Sequence, residues 1–315
     1  MKKTSKTYAP AFVFAVLLIL LAGLPFFVEE SSYAIILITN ILMYVVMTLS
    51  WAIFSGPTGY ISLAPAAFFG TGVYATALLS DILPLPIVIA IGGIASLFLA
   101  YLVGSATLRL KGMYFTMFTF GLVELVRNLV HWYEVNISGT VGRIVAATSN
   151  STIYFCMIAG FLAVLLVSYL IKHSRFGLAL QGIGESEEAV AHSGVNVNRV
   201  KAMTFAVSAF FMGTTGATMA MRWTYLDPTQ AFNIQYSFMP VLMAIFGGMG
   251  HLYAPIVGAS AFSLLEEFLT TNFPHYYMLV FGLTMMSVIR FMPHGLDGVV
   301  ERWRKKTATK SAEKT

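Results

Sequence analysis

The residues able to do chemistry are concentrated in one polar island, between Lys172 and Lys201, inside an otherwise very apolar chain. It reads Lys172-His-Ser-Arg175, then Gly184-Glu185-Ser-Glu187-Glu188-Ala189-Val-Ala-His-Ser-Gly194-Val-Asn196, then Arg199 and Lys201. The alanines favour a short helix. The acidic residues fall in its first turns, where the helix dipole favours them, and Gly194 suits its C-terminal stop. The pattern predicts a helix over about 185–196. Its chemistry is recognition: Glu185, Glu187, Glu188, Ala189, Gly194 and Asn196 would offer a compact face to a groove in a soluble partner. The plainer reading is an ordinary solvated interhelical loop.

Two further groups stand out. Glu124 and Arg127 lie three apart inside an apolar run, so they share one helical face and can pair. Such a pair either lines a pore or subunit contact, or neutralises itself near the membrane edge. Glycine and proline mark the other group. Gly56-Pro-Thr58-Gly59-Tyr-Ile-Ser62-Leu-Ala-Pro65 and Gly247-Gly248-Met-Gly250-His-Leu-Tyr-Ala-Pro255 each carry glycines three apart and then an Ala-Pro pair. Paired breaks in two halves point to an internal repeat. They also point to a substrate path, because a broken helix offers backbone groups to a polar cavity. Tight helix packing is the competing explanation.

Catalytic signatures are missing. No G-x-x-x-x-G-K-[ST], G-x-S-x-G or H-E-x-x-H occurs, so the chain cannot hydrolyse ATP through a P-loop of its own. His131 and Glu134 sit one turn apart, but a lone pair is a poor metal site, and a hydrated outer loop is the expected setting. The other histidines are scattered. The single Cys156 lies in an apolar run and reads as a small buried residue. Neither a catalytic cluster, a metal nor a cofactor is expected.

The elements that must position these groups are membrane spans. Of the 315 residues, 57% are hydrophobic and 10% charged, against about 25% charged in a soluble domain. Runs long enough to cross ~30 Å of hydrocarbon fall at about 11–28, 33–55, 60–80, 86–108, 112–131, 151–171, 202–222, 236–250, 254–270 and 276–292. The eighth and ninth are short and glycine-separated, either two spans or one re-entrant unit, so the count is eight to ten, with ten preferred. Met1–Lys6 and the following run read as an uncleaved first span rather than a leader, since no small-x-small cleavage site follows. The expected organisation is an N-terminal tail over 1–10, a transmembrane domain over 11–298 with its coupling loop at 172–201, and a basic tail over 299–315. With the N-terminus inside, fifteen of the nineteen Lys and Arg fall on the cytoplasmic side. Both termini are then cytoplasmic, and the net charge of +5 is a topology signal rather than a nucleic-acid footprint.

A resemblance joins these blocks. Phe176-Gly-Leu-Ala-Leu180, Ile183, Glu185-Ser-Glu187-x-Ala189, Gly194-Val-Asn196, Lys201 and Thr204-Phe205-Ala206-Val-Ser208-Ala209 resemble the permease subunits of branched-chain amino acid ABC importers, the LivM type. So do Gly59-x-x-Ser62-Leu63, Ala67-Phe68-x-Gly70-x-Gly72-x-Tyr74 and Leu110-Lys111-Gly112-x-Tyr114-Phe115 upstream. Downstream, Tyr225-Leu-Asp227-Pro228, Gly247-Gly248-x-Gly250, Pro255-x-x-Gly258-Ala259 and Pro293-x-Gly295-Leu296-x-Gly298 follow in order. The resemblance covers about 40–300. It departs at Gly184, where the family often has arginine, and at Ser138–Arg143, a weak version of an outer glycine segment.

What the resemblance implies is an all-α polytopic permease with a two-half repeat, in a bacterial inner membrane. It would work beside a second, homologous permease, two P-loop ATPases and a periplasmic binding protein, importing branched-chain amino acids. Related subunits import urea or other small polar solutes. An ATP-independent secondary transporter or channel would place titratable groups at mid-membrane, and here only Glu124 and Arg127 are available.

Overall fold

The computed structural model describes residues 33–274, except 109, 111, 146 and 147, and a few single positions on either side. The expected first and tenth spans, both tails and the basic C-terminal run lie outside that range. Eight longer helices make up the described bundle: α1 (Tyr33–Thr58), α2 (Pro65–Leu79), α3 (Leu85–Thr107), α4 (Met113–Tyr133), α5 (Asn150–Lys172), α8 (Val197–Ala220), α10 (Gln235–Gly247) and α11 (Ala254–Asn272). Two short helices, α6 (Arg175–Glu185) and α7 (Glu187–His192), form an elbow between α5 and α8, and α9 (Pro228–Ala231) is a single turn. A two-residue antiparallel ribbon pairs β1 (Arg143–Ile144) with β2 (Tyr225–Leu226).

The eight longer helices occupy eight of the ten spans expected from the sequence, and they alternate in direction as that count requires. Tyr33 at the start of α1 donates to Glu267 near the end of α11. At the other end of α1, a Cβ on Gly56 would touch the side chain of Met249, just before α11 begins. One face of the bundle therefore carries the α6–α7 elbow and both glycine-proline breaks, and the other carries the β ribbon. Among the described residues, four segments, 33–58, 85–107, 113–138 and 150–172, are long and apolar enough by themselves to cross a membrane. Exposed apolar side chains such as Phe98, Leu102, Met117, Leu125 and Leu166 cover their outer surfaces, as lipid-facing helices require.

The centre is held by close backbone approach. A Cβ on Gly72 would fall 1.9 Å from the carbonyl oxygen of Gly213, and one on Gly216 would fall 2.0 Å from that of Phe69. These α2–α8 contacts are supplemented by Ser96 Oγ of α3, which donates to Phe68 O at 2.8 Å, and by Thr76 Oγ1, which donates to Ala217 O at 2.9 Å. Small residues do this because lipid supplies no hydrophobic drive between spans, leaving van der Waals contact and hydrogen bonds to hold them.

The two breaks are built alike. Each begins with a glycine at positive φ directly after a helix, Gly59 (φ 71°) after α1 and Gly248 (φ 95°) after α10. Each runs over six residues, 59–64 and 248–253, and each restarts in a helix with proline in its first turn. The third span therefore starts at Pro65 rather than near 60. The eighth and ninth are two separate helices. α2 and α10 are short, 15 and 13 residues, or roughly 22 and 20 Å. Their N-terminal ends meet inside the bundle, where Ser237 Oγ accepts from Ala66 N at 3.1 Å and donates to Leu63 O at 2.8 Å.

Candidate functional site

The elbow is assembled by capping. Ser174 Oγ accepts from Gly177 N, Ser186 Oγ from Ala189 N, and Asn196 Oδ1 from Arg199 N, starting α6, α7 and α8 in turn. Each such cap contributes about 1 kcal/mol. Asn196 is thus the N-cap of α8. Gly194, at φ 86°, follows α7 in the left-handed conformation that ends a helix at low cost. The predicted helix over 185–196 is shorter in the structure: Glu185 ends α6, the chain turns at Ser186, and α7 covers only Glu187–His192, with the acidic pair Glu187–Glu188 in its first turn. Leu180, Ile183 and Val200 form a small core beneath it.

The six elbow candidates divide by burial. Glu185, Glu188, Ala189, Gly194 and Asn196 are exposed on one surface. Glu187 turns inward. Its Oε1 accepts from Lys201 Nζ at 2.9 Å and from the Tyr60 hydroxyl at 2.6 Å. Lys201, only 1% exposed, also donates to Leu108 O at 2.9 Å and lies 4.5 Å from the centre of the Tyr60 ring. A buried ammonium needs this fixed set of acceptors. The knot ties α7 to α8, to the end of α3 and to the first break. Sequence reasoning placed Lys201 in a motif but missed this role, and it missed Tyr60; the signal available was a lysine five residues into an apolar helix. Gly184 has its own reason: a Cβ there would fall 2.2 Å from the Pro57 carbonyl oxygen, so α6 rests directly on the end of α1.

The break residues also divide. Gly56, Gly59 and Gly250 line one cleft of about 500 Å3 on the elbow face, together with Lys172, Gln181, Glu185 and Met249. Thr58 and Gly59 line an adjoining cleft of about 680 Å3 that reaches Glu187 and Glu188. Gly247 and Gly248 do not line either. A Cβ on Gly247 would fall 2.1 Å from Ala254 O, so this glycine lets α10 and α11 pack. Ser62 is buried, and its carbonyl accepts from Trp51 Nε1 at 2.8 Å. A third cavity, of about 430 Å3, opens toward the ribbon face between α1, α10 and α11. α1 runs past both this cavity and the elbow-face cleft, and between them Val45, Val46, Met47 and Thr48 are fully enclosed, with Thr48 Oγ1 3.8 Å from Met243 Sδ.

Glu124 and Arg127 do pair, and each side chain is about one third exposed on the flank of α4. They line none of these three cavities. The expected hydrated loop at His131–Glu134 is corrected. Helix continues through 133 into a π turn over Glu134–Ser138, and Glu134 is 1% exposed, accepting from Tyr74 OH at 3.2 Å and Gly142 N at 3.0 Å. A buried carboxylate needs such donors, and both come from elements distant in sequence. Cys156 is partly rather than fully buried. No group of three or more metal-ligating side chains occurs among the described residues.

An alternating helical bundle with two matched breaks and a capped polar elbow on one face is the architecture of a membrane permease. The chain belongs to the family described as "Branched-chain amino acid transport system / permease component", whose match runs over residues 33–289. It is similar to the high-affinity branched-chain amino acid transport system permease protein LivM of Escherichia coli, 27% identical over 89% of this chain and 73% of that protein. The Salmonella typhimurium LivM stands at the same identity and coverage. The Escherichia coli permease protein LivH is 25% identical over 45% of this chain and 46% of its own length. No solved structure matches.

Proposed function

We propose that this chain is one permease subunit of an ATP-driven importer of branched-chain amino acids. In this reading the elbow face is cytoplasmic, and Glu185, Glu188, Ala189 and Gly194 dock on a P-loop ATPase. Glu187 and Lys201 transmit the motion of that ATPase into the bundle. A second, homologous permease completes the route, and a binding protein delivers substrate to the ribbon face. The observation that supports it best is the elbow. A membrane bundle with no nucleotide-binding motif of its own carries a short, capped, polar helix outside its spans, braced from beneath by a buried ion pair.

The test is uptake of labelled L-leucine by a host stripped of its own branched-chain importers, expressing this chain with a candidate partner permease, P-loop ATPases and binding protein from its own source. Uptake that disappears when the P-loop lysine of the ATPase is replaced supports the proposal. Uptake that survives that replacement means an ATP-independent carrier, and ATP-dependent uptake of urea but not leucine means a different substrate. Reporter fusions after residues 145 and 315 should give opposite compartments; the same compartment for both would overturn the orientation.

A further inference from the structure

The cavity facing the ribbon side is lined by one cation and two carboxylates that form no ion pair. Arg222, just past the end of α8, and Glu266 and Glu267 on α11 all line it. Among the described residues, the only ion pairs are Glu124–Arg127 and Glu187–Lys201. Arg222 is steadied from one side, its Nη1 donating to Asn40 Oδ1 at 2.6 Å. One of its five N–H donors is thereby committed, and the planar fork can still grip a carboxylate. The neighbouring Glu267 is engaged by the Tyr33 hydroxyl at 2.5 Å. The Glu266 carboxylate makes no hydrogen bond among the described residues. One turn before it, Ser263 is 6% exposed, and its Oγ has no hydrogen-bond partner. A buried hydroxyl without a partner costs about 1–3 kcal/mol, so a group that supplies one is favoured there. Trp223, Tyr236, Ile41 and Met43 form the apolar wall, and a volume of about 430 Å3 lies within the range of small-molecule sites.

We infer that this cavity is a binding subsite for a free zwitterionic amino acid with an apolar side chain. Arg222 takes the carboxylate, Glu266 and the Ser263 hydroxyl take the ammonium, and the aromatic wall takes the side chain. A zwitterion supplies both charges to groups that form no ion pair with each other, which an amine, a carboxylic acid or a neutral solute cannot do. The choice of an amino acid as ligand agrees with, and in part rests on, the importer reading. The arrangement of charges does not depend on it. On the proposed orientation the cavity faces the side from which substrate arrives.

The experiment uses the full-length chain assembled with its partners, in a Cys156→Ser, Thr270→Cys background. Thr270 is an exposed residue on the cavity lining, so its replacement thiol reports occupancy by its labelling rate. Three probes of similar shape are compared: L-leucine, 3-methylbutan-1-amine, which lacks the carboxylate, and 4-methylpentanoate, which lacks the ammonium. L-Leucine should protect the thiol at concentrations about tenfold or more below either analogue, the size of one charge-assisted hydrogen bond. Arg222→Gln should erase the preference over the amine and keep the preference over the acid. Glu266→Gln should do the reverse. A misfolded variant would lose both preferences together, so the crossed pattern marks ligand contact and not scaffold. Equal protection by all three probes, no protection at all, or variants that weaken every probe alike would overturn the inference. Uptake of leucine without charge-selective protection would sink the subsite and leave the importer reading standing. Protection without uptake would do the opposite.

Discussion

Glu187 and Lys201 are joined by one bond at 2.9 Å, yet their environments differ: the lysine is 1% exposed and the glutamate 21%. The two single substitutions should therefore be unequal. Glu187→Gln removes the only negative charge beside the buried ammonium and leaves it neutral acceptors alone, the glutamine amide oxygen, the Leu108 carbonyl and the Tyr60 hydroxyl, with the Tyr60 ring alongside. Breaking a buried pair from the side that strands a charge costs about 3–5 kcal/mol; the ring and carbonyl offset part, so about 3 kcal/mol is expected. Lys201→Met strands a carboxylate that keeps its bond from Tyr60 and can reach water, costing about 1 kcal/mol. The double variant replaces the pair with neutral groups of similar volume and should fall near Lys201→Met, well short of Glu187→Gln. Amide hydrogen exchange over residues 186–194 in the purified protein reads this directly. Exchange should accelerate roughly 150-fold in Glu187→Gln and roughly fivefold in the other two, since each ~1.4 kcal/mol is tenfold. Equal single effects that add in the double variant would refute the tether.

Other contacts make separate predictions. Gly184→Ala must push α6 off the Pro57 carbonyl, a rigid neighbour, at about 1–3 kcal/mol; membrane insertion should be normal and uptake strongly reduced, and wild-type uptake would contradict the contact. Ser237→Ala strips Ala66 N and Leu63 O of their shared partner, costing about 1–3 kcal/mol, seen as a lower unfolding temperature in detergent; an unchanged temperature would show that the two half-helices are held by other means. A Cβ on Gly56 would lie 3.9 Å from Met249 Cβ, within the usual span for a disulfide, so Gly56→Cys with Met249→Cys in a Cys156→Ser background should oxidise readily. If the breaks separate during transport, the oxidised form is inactive and reductant restores it, whereas full activity when oxidised would make them a fixed unit.

Much of the fold was legible because lipid imposes one rule on every span. Apolar runs gave eight helices at nearly the right places, and Gly194 acts locally, so its role as a helix stop reads straight from sequence, whereas the caps at Ser186 and Asn196, equally local, went unread and the segment was taken as one helix. The short α2 was misplaced by about five residues because Tyr60–Ala64 is as apolar as a helix. What makes it non-helical is Gly59 at positive φ and the distant Ser237, which takes the backbone groups of Leu63 and Ala66. The buried knot at Lys201 was hidden for the same reason, since its partners lie 141, 93 and 14 residues away. Glu134 misled more completely: a carboxylate at the end of a span reads as solvated, and only Tyr74 and Gly142 make its burial tolerable.

These contacts concentrate on α1. It is 26 residues long, roughly 39 Å, and it borders all three cavities described above. Its N-terminal half, from Leu37 to Tyr44, lines the cavity holding Arg222 and Glu266, its C-terminal part, from Leu49 to Pro57, lines the elbow-face cleft, and its final turn bears on Gly184 of the elbow. Between the two cavities, its side chains are sealed against the bundle. α2, α3 and α8 interlock through glycine contacts too tight to slide without rearrangement. On the proposed function, a push at the elbow therefore has a stiff rod to act on and a rigid block to act against. Opening one cavity while closing the other requires α1 to tilt or shift against α10 and α11, where Met243 and Thr48 meet. Methionine is the side chain best able to repack there, because its unbranched thioether adapts to changing gaps at small cost.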